Sequence, residues 1–375
     1  MNQIPDPVIV TGANGFIGAR VVQRLLEQGR RVHALGRGRA GDPWPVRMRA
    51  ALDDIAGAAT DSALLSHLSC HAVDGADPGS LAGDSPDLLT LRHALLIHIA
   101  GDTKFNPGDP AAQRRLNVDA TLAIVRALRP ALARVVHTST AYVCGDRAGT
   151  ILETDLDCGQ AFRNPYEKSK FEAEGAVTAL CAELSLPLII VRPSIIVNDT
   201  RTGRSSTFTH LNALVEVINR IQEYFGISDG EVVSRVIRLA ADPAGRPNLA
   251  PVDPMVEAMI RLALDPRAAG RTFHLCHPAP QTNTEIIGLI AEAIGIRGKV
   301  ALEYVRGLEE PASRTEKMIF RSLKVYAPYL NERAQFDLTE TRRLLPDYDA
   351  LFAPLDLPYL HRVIKFQRDS RARTM

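Results

Sequence analysis

Tyr166 and Lys170 stand four residues apart in Asn164-Pro165-Tyr166-Glu167-Lys168-Ser169-Lys170. The segment reads as a helix start: Asn164 can cap, Pro165 suits the first turn and Glu167 can reach back to close a capping box. A spacing of four puts the phenol and the ammonium on one helical face. There the positive charge favours the phenolate and makes Tyr166 a usable proton donor or acceptor. The pair means little alone. Upstream, His137-Thr138-Ser139-Thr140-Ala141-Tyr142-Val143-Cys144-Gly145 ends a β-branched run and brings hydroxyls to the carboxyl edge of a sheet, where one can orient a substrate carbonyl for Tyr166.

A second chemistry lies in Thr11-Gly12-Ala13-Asn14-Gly15-Phe16-Ile17-Gly18, directly after an apolar run and at the start of a helical pattern. Gly12 suits a tight turn, Gly15 close approach of the backbone to a pyrophosphate, and Gly18 close packing of helix on sheet. The free N–H groups and dipole of the helix start favour an anion. Thr11, Asn14, Phe16 and Ile17 count with the same dinucleotide-binding turn. After the next strand, Leu35-Gly36-Arg37-Gly38-Arg39 holds no carboxylate for a ribose 2′-hydroxyl. Arg37 offers instead a planar fork for a 2′-phosphate, so NADP(H) is the expected cofactor. The plainer alternative is that Arg37 and Arg39 are solvated loop residues.

Elements able to position these residues alternate through the first two hundred positions. Strands are expected at Val8 to Thr11, Val32 to Leu35, Ala94 to Ile99, Arg134 to Thr138 and Leu188 to Arg192. Helical spacing joins Ile17, Val21, Leu25 and Leu26, and again Leu116, Ala120, Ile124, Val125 and Leu128. The pattern predicts an α/β fold: a Rossmann-type doubly wound parallel sheet with a smaller C-terminal substrate-binding lobe. The expected division is 1–200 for the NADP-binding domain and 201–375 for a mostly helical lobe, with segments near 250–276 returning to the sheet. Asp199 to Thr209 reads as a polar loop, a plausible mouth for a phosphate through Arg201 and Arg204. Leu211 to Phe225 reads as a helix that packs on a core or lines an acyl tunnel. Thr282 or Thr284 can cap a helix from Thr284 to Ile294, and the charged tail from Arg368 is expected to fray.

Composition narrows the classes. The 375 residues are 46% hydrophobic and 23% charged, and 44 basic against 43 acidic residues leave a net charge of +1. No global field draws such a chain to nucleic acid or an anionic membrane. Only seven of the 44 basic residues are lysine, a bias that suggests a GC-rich, bacterial genome. The five scattered cysteines form no CxxC pair, which argues against a disulfide framework and for a cytoplasmic setting. No signal-like segment opens the chain and no apolar stretch is long enough to span a bilayer. No metal is expected: His67 and His71, four apart on a presumed helix, lack a third ligand, and alternation turns His274 and His277 apart. His98 reads as a satisfied buried histidine, and the Cys144 thiol has no evident activator.

Taken together, the glycine turn, the Ser139-Thr140-Ala141-Tyr142-Val143-Cys144-Gly145 run, the Tyr166 segment and Leu188-Ile189-Ile190-Val191-Arg192-Pro193-Ser194-Ile195-Ile196 resemble the extended short-chain dehydrogenases/reductases. The resemblance covers at least residues 8 to 276. It implies Tyr166 as catalytic acid/base, Lys170 as the residue that tunes it and holds the nicotinamide ribose, and Thr140 as the family's hydroxyl. It implies Asn117 as the helix asparagine that orders a proton relay through Lys170. Ala100 and Gly101 would lie along the cofactor, and Pro193 to Ile195 would border the nicotinamide. After the third strand the family's Gly-Asp is replaced by Val73-Asp74-Gly75-Ala76-Asp77, so either Asp74 or Asp77 is the candidate at adenine. Arg192-Pro193-Ser194-Ile195-Ile196-Val197, Asp199-Thr200-Arg201-Thr202-Gly203, Asn248-Leu249-Ala250-Pro251-Val252-Asp253 and Phe273-His274-Leu275-Cys276-His277-Pro278 are similar to fatty acyl-CoA reductases and thioester-reductase domains. That likeness implies NADPH-dependent reduction of an acyl thioester, on coenzyme A or a carrier protein, to aldehyde and on to alcohol. The alternatives on the same scaffold are a ketone or alcohol oxidoreductase, a sugar-nucleotide epimerase or dehydratase, and a non-catalytic NADP-binding sensor.

Overall fold

A strand covered by helices on both sides needs apolar side chains at every position, and Val8–Thr11 and Ala94–His98 are buried throughout. The computed structural model describes residues 5–38, 41–73, 85–225, 236–299, 301–305 and, except 318, 320 and 322, 317–372. Thirteen strands form among the described residues: β1 (Val8–Thr11), β2 (Val32–Gly36), β3 (Leu68–Ala72), β4 (Ala94–His98), β5 (Leu132–Thr138), β6 (Gly149–Ile151), β7 (Leu188–Pro193), β8 (Ile195–Val197), β9 (Val236–Ala240), β10 (Leu249–Pro251), β11 (Arg271–Leu275), β12 (Ala301–Val305) and β13 (Ala334–Phe336). Seven of them make one parallel sheet in the order β11-β7-β5-β4-β1-β2-β3. From β1 the chain runs outward to β3 and then returns to β4 on the other side. This reversal opens a crevice at the carboxyl ends of β1 and β4, the place where such sheets take ligands. Three short parallel pairs also form: β8 with β10, β9 with β12 and β6 with β13.

Helices α1 (Gly18–Glu27), α2 (Trp44–Ala56), α3 (Pro86–Thr90), α4 (Ala120–Leu128), α5 (Pro165–Glu183), α6 (His210–Phe225), α7 (Val252–Leu264), α8 (Asn283–Ile294), α9 (Ala327–Leu330) and α10 (Leu357–Ala372) complete the frame. Side chains alternate across the sheet. Val8 and Val10 join Val22, Met48 and Met259 on one face, while Ile9 and Leu96 join Val125, Leu128 and Val177 on the other. A third apolar cluster gathers Leu211, Leu214, Ile218, Ile287, Leu330 and Leu360 from α6, α8, α9 and α10.

Two local expectations change. His71 lies on β3, not on a helix with His67; its Nε2 meets His33 Nδ1 across the sheet at 2.9 Å, and its Nδ1 lies 3.7 Å from Asp87 on α3. Among the described residues only His33, His71 and Asp87 stand close enough together to hold a metal. The tail does not fray at Arg368: α10 runs to Ala372, tied to α6 through Arg371 and Glu216 and through Gln367 Nε2 to the Asn212 carbonyl. Thr282, not Thr284, caps α8 in a capping box with Glu285.

Candidate active site

The turn after β1 is shaped by its glycines. Gly12 has φ +65°, and a Cβ there would stand 2.8 Å from the Ala100 amide nitrogen, so β1 and β4 come together only because this residue has no side chain. A Cβ on Gly18 would lie 2.1 Å from the Gly12 carbonyl oxygen. Gly15 is exposed and donates its N–H to the Gly12 carbonyl (2.9 Å). Asn14, Phe16 and Ile17 are half-buried around it, with Ile17 at the N-cap of α1. Thr11 has a different role. Its hydroxyl donates to His98 Nδ1 (2.9 Å) and accepts from the amides of Ile99 and Ala100, joining the turn to the end of β4. His98 Nε2 in turn donates to Thr121 (2.9 Å), whose own proton goes to the Asn117 carbonyl. His98 is thus a neutral, satisfied imidazole, and burial holds its pKa down to about 3.

At the end of β2, Arg37 is exposed, and its guanidinium has no side-chain partner among the described residues. Arg47 of α2 donates to the Arg37 carbonyl and pairs with Asp42 at 3.3 Å. This second cation beside Arg37 was not legible in the sequence, because only the return of α2 brings position 47 to position 37. Gly36 is required here: a Cβ would stand 2.2 Å from the Trp44 ring. Arg39, Asp74 and Asp77 lie outside the described residues. The polar loop from Asp199 is bound to the first helices rather than open. Buried Arg20 of α1 bonds the Phe16 carbonyl (3.0 Å) and lies 4.0 Å from Asp199, and Arg204 donates to the Asp54 carbonyl (2.7 Å). Arg201 remains exposed.

The catalytic candidates converge at the carboxyl ends of β5 and β7. Asn164 caps α5 by accepting from the Glu167 amide (3.0 Å), and Glu167 reaches back to the Arg163 amide (3.0 Å). This fixes the first turn, and with it Tyr166. Burial pushes the Tyr166 phenol up to about 12, and a hydrogen bond with Thr140 draws it down. Thr140 is buried and bonds the Pro193 carbonyl (3.3 Å), so the hydroxyl, the phenol and the strand end meet. The Lys170 ammonium donates to the Thr138 carbonyl (2.6 Å), and burial lowers its pKa to about 8.

Asn117 sits in a π-helical bulge, Arg115–Asp119. Its side chain accepts from the Asp102 amide (2.7 Å) and donates to the Asp102 carbonyl (3.0 Å) and to Ser169 (2.9 Å). It therefore clamps Gly101 and Asp102 to α5. A Cβ on Gly101 would come 3.0 Å from its oxygen. Near Pro193, the Ile195 amide donates to the Asn248 carbonyl (3.1 Å), while Asn248 Oδ1 accepts from Ser194 (2.7 Å) and from the His277 amide (2.8 Å). The sequence showed Asn248 only as part of a run; the structure makes it the pin of this strand end.

A seven-stranded parallel sheet with a glycine turn at its switch point and a Tyr-x-x-x-Lys helix at the neighbouring edge defines an extended short-chain dehydrogenase/reductase. The family model described as "Male sterility protein" matches residues 10–259, and the chain belongs to that family. It is 25% identical over 392 residues to the nonribosomal peptide synthetase asaC of Aspergillus flavus, covering 96% of this chain and 36% of that protein. It is 30% identical over 203 residues to dihydroflavonol 4-reductase of Zea mays, covering 51% and 52%. The chain thus spans between about a third and a half of these relatives' lengths. Among solved structures, the terminal R domain from the myxalamid PKS-NRPS biosynthetic pathway superposes with a TM-score of 0.76 at 19% identity, over 99% of this chain and 92% of that one. A thiolation-reductase di-domain from an archaeal non-ribosomal peptide synthetase gives 0.77 at 18%, over 99% and 76%. The chain belongs to a nicotinamide-binding family.

Proposed function

We propose that this protein is an NADPH-dependent reductase of an acyl thioester carried on a pantetheine arm of coenzyme A or a carrier protein. One observation carries the reading: Tyr166 and Thr140 meet at the carboxyl edge of the sheet, and at the end of β2 the exposed Arg37 has no side-chain partner among the described residues. The likeness to reductase domains of peptide synthetases supports the thioester as substrate. The turn after β1 suits a dinucleotide: Gly12 and Gly18 allow backbone approaches at which a Cβ would collide with the Ala100 amide and the Gly12 carbonyl, and the N-terminus of α1 follows directly. Gly12 to Gly18 would hold the pyrophosphate, Arg37 the 2′-phosphate, Ala100 and Gly101 the length of the cofactor, Lys170 the ribose, and Pro193 and Ile195 the nicotinamide. When bound, the cofactor supplies a hydride to the thioester carbonyl carbon.

Thr140 and Tyr166 hydrogen-bond the carbonyl oxygen as its charge develops. Tyr166, protonated across the working range, donates its proton to that oxygen and gives a hemithioacetal. It takes the proton back as the C–S bond breaks, leaving an aldehyde and a thiolate that is protonated to the thiol. A second round on the aldehyde gives the alcohol. The free cysteines suit a reducing cytoplasm, and the arginine-rich composition suits a bacterial source. Titrating free thiol during NADPH oxidation with acyl-CoA and pantetheine thioesters tests the proposal. One thiol per one or two NADPH supports it; aldehyde turnover without thiol release assigns a carbonyl reductase instead.

A further inference from the structure

His210 opens α6 and is 3% exposed, yet neither ring nitrogen has a hydrogen-bond partner among the described residues. Buried polar groups are paired in native proteins as a rule. The imidazole lies against Tyr326 with ring centroids 4.8 Å apart. Tyr326 meets Phe105 at 6.2 Å, and Phe105 meets Tyr166 at 5.9 Å. A continuous aromatic wall therefore leads from the proposed acid/base to His210. Beyond it, Leu214, Val217 and Ile218 of α6, with Leu323 and Leu330, line a slim apolar hollow. Beside it in sequence, Phe208 and Val325 are 61% and 46% exposed, an apolar rim flanking the two rings.

We propose that His210 is a specificity-determining residue that hydrogen-bonds a polar group, amide or hydroxyl, borne on the acyl chain of the substrate. The proposal rests on the thioester reading above and deepens it. An acyl chain with its carbonyl at Tyr166 and Thr140 runs along the Phe105 and Tyr326 rings and meets one polar group on the way. Burial keeps the imidazole neutral, so it offers one N–H donor and one acceptor. That pair matches an amide or a hydroxyl and does not match a carboxylate. A purely hydrocarbon chain would leave both nitrogens unpaired.

The test uses the whole chain, saturated with NADP+, and unreactive pantetheine thioethers of equal length bearing a plain alkyl, a hydroxyl-substituted or an amide-containing chain. Dissociation constants are measured by calorimetry for the native protein, His210→Leu and His210→Gln. The native protein should bind at least one polar analogue about tenfold more tightly than the alkyl one, the worth of one buried hydrogen bond. His210→Leu should shrink that ratio below about threefold, and His210→Gln, which keeps a donor and an acceptor, should restore part of it. Which polar analogue gains most separates amide from hydroxyl. Equal binding of all three by the native protein overturns the proposal, whether or not the variants fold, and so does an unchanged ratio in folded His210→Leu. A binding preference without thioester turnover keeps His210 and removes the thioester reading; turnover without preference does the reverse.

Discussion

At the residue scale two side chains carry the proposed reaction: a phenol that burial keeps protonated and Arg37, which has no side-chain partner among the described residues. In the proposed reaction the Tyr166 hydroxyl moves the proton. Tyr166→Phe should lower the turnover rate about a thousandfold and leave NADPH binding, followed by nicotinamide fluorescence, within about twofold. Arg37→Asp should weaken NADPH about tenfold or more and NADH far less, since only NADPH carries the 2′-phosphate; equal weakening in a binding titration would remove that contact. These residues were legible because each sits in a local segment whose spacing carries its chemistry. Lys170 was read in the right segment, but its ammonium goes to the Thr138 carbonyl, a contact 32 positions away in sequence. Arg47, Asn248 and His210 were not legible for the same reason: their meaning comes from partners that only folding supplies.

At the element scale the site depends on how α5 is held against the sheet. Arg192 of β7 donates two buried hydrogen bonds to Glu174 of α5, Nη2 to Oε1 at 2.5 Å and Nε to Oε2 at 3.1 Å, and a further one to the Glu153 carbonyl (3.2 Å). Glu174 stands two turns beyond Tyr166, so this pair sets the helix's depth and rotation. Glu174→Ala leaves a buried guanidinium unpaired and should cost about 3–5 kcal/mol in urea unfolding. Pairing it with Arg192→Met should recover most of that loss, and a double variant no more stable than the single would contradict the assignment. The sequence revealed this helix and the strands on either side of it to within a residue or two. It did not mark β3, because Leu68–Ala72 is an edge strand of partly exposed residues with no apolar run, and its His71 reads with His67 as a helical pair. The aromatic meeting of Phe105, Tyr166, Tyr326 and Tyr329 joins segments more than 150 positions apart, and no periodicity signals that.

At the scale of the whole molecule, the near-zero net charge leaves stability to burial, and several histidines are buried neutral. Desolvation lowers His98, His210 and His274 to about 3 and His137 well below its ordinary value. Between the unfolded pKa near 6.5 and these folded values the unfolded chain binds more protons, so stability present at neutral pH is lost as pH falls. Each such histidine contributes about 1.4 kcal/mol per pH unit in that window. Urea melts should show a loss of several kcal/mol between pH 7.5 and 5.5; a flat profile would contradict the burial of these rings. Glu153, Glu167 and Asp253, raised by burial, act in the opposite direction nearer the carboxylate range. In the proposed reaction the hydride goes to a thioester carbonyl. The most direct measurement is turnover of an acyl thioester with NADPH deuterated at the transferred position, followed by mass analysis of the product. One deuterium at C1 of the aldehyde, or two at C1 of the alcohol, is expected, with one free thiol per product. Thiol release with an undeuterated acid would mean hydrolysis, and would contradict the proposed reaction.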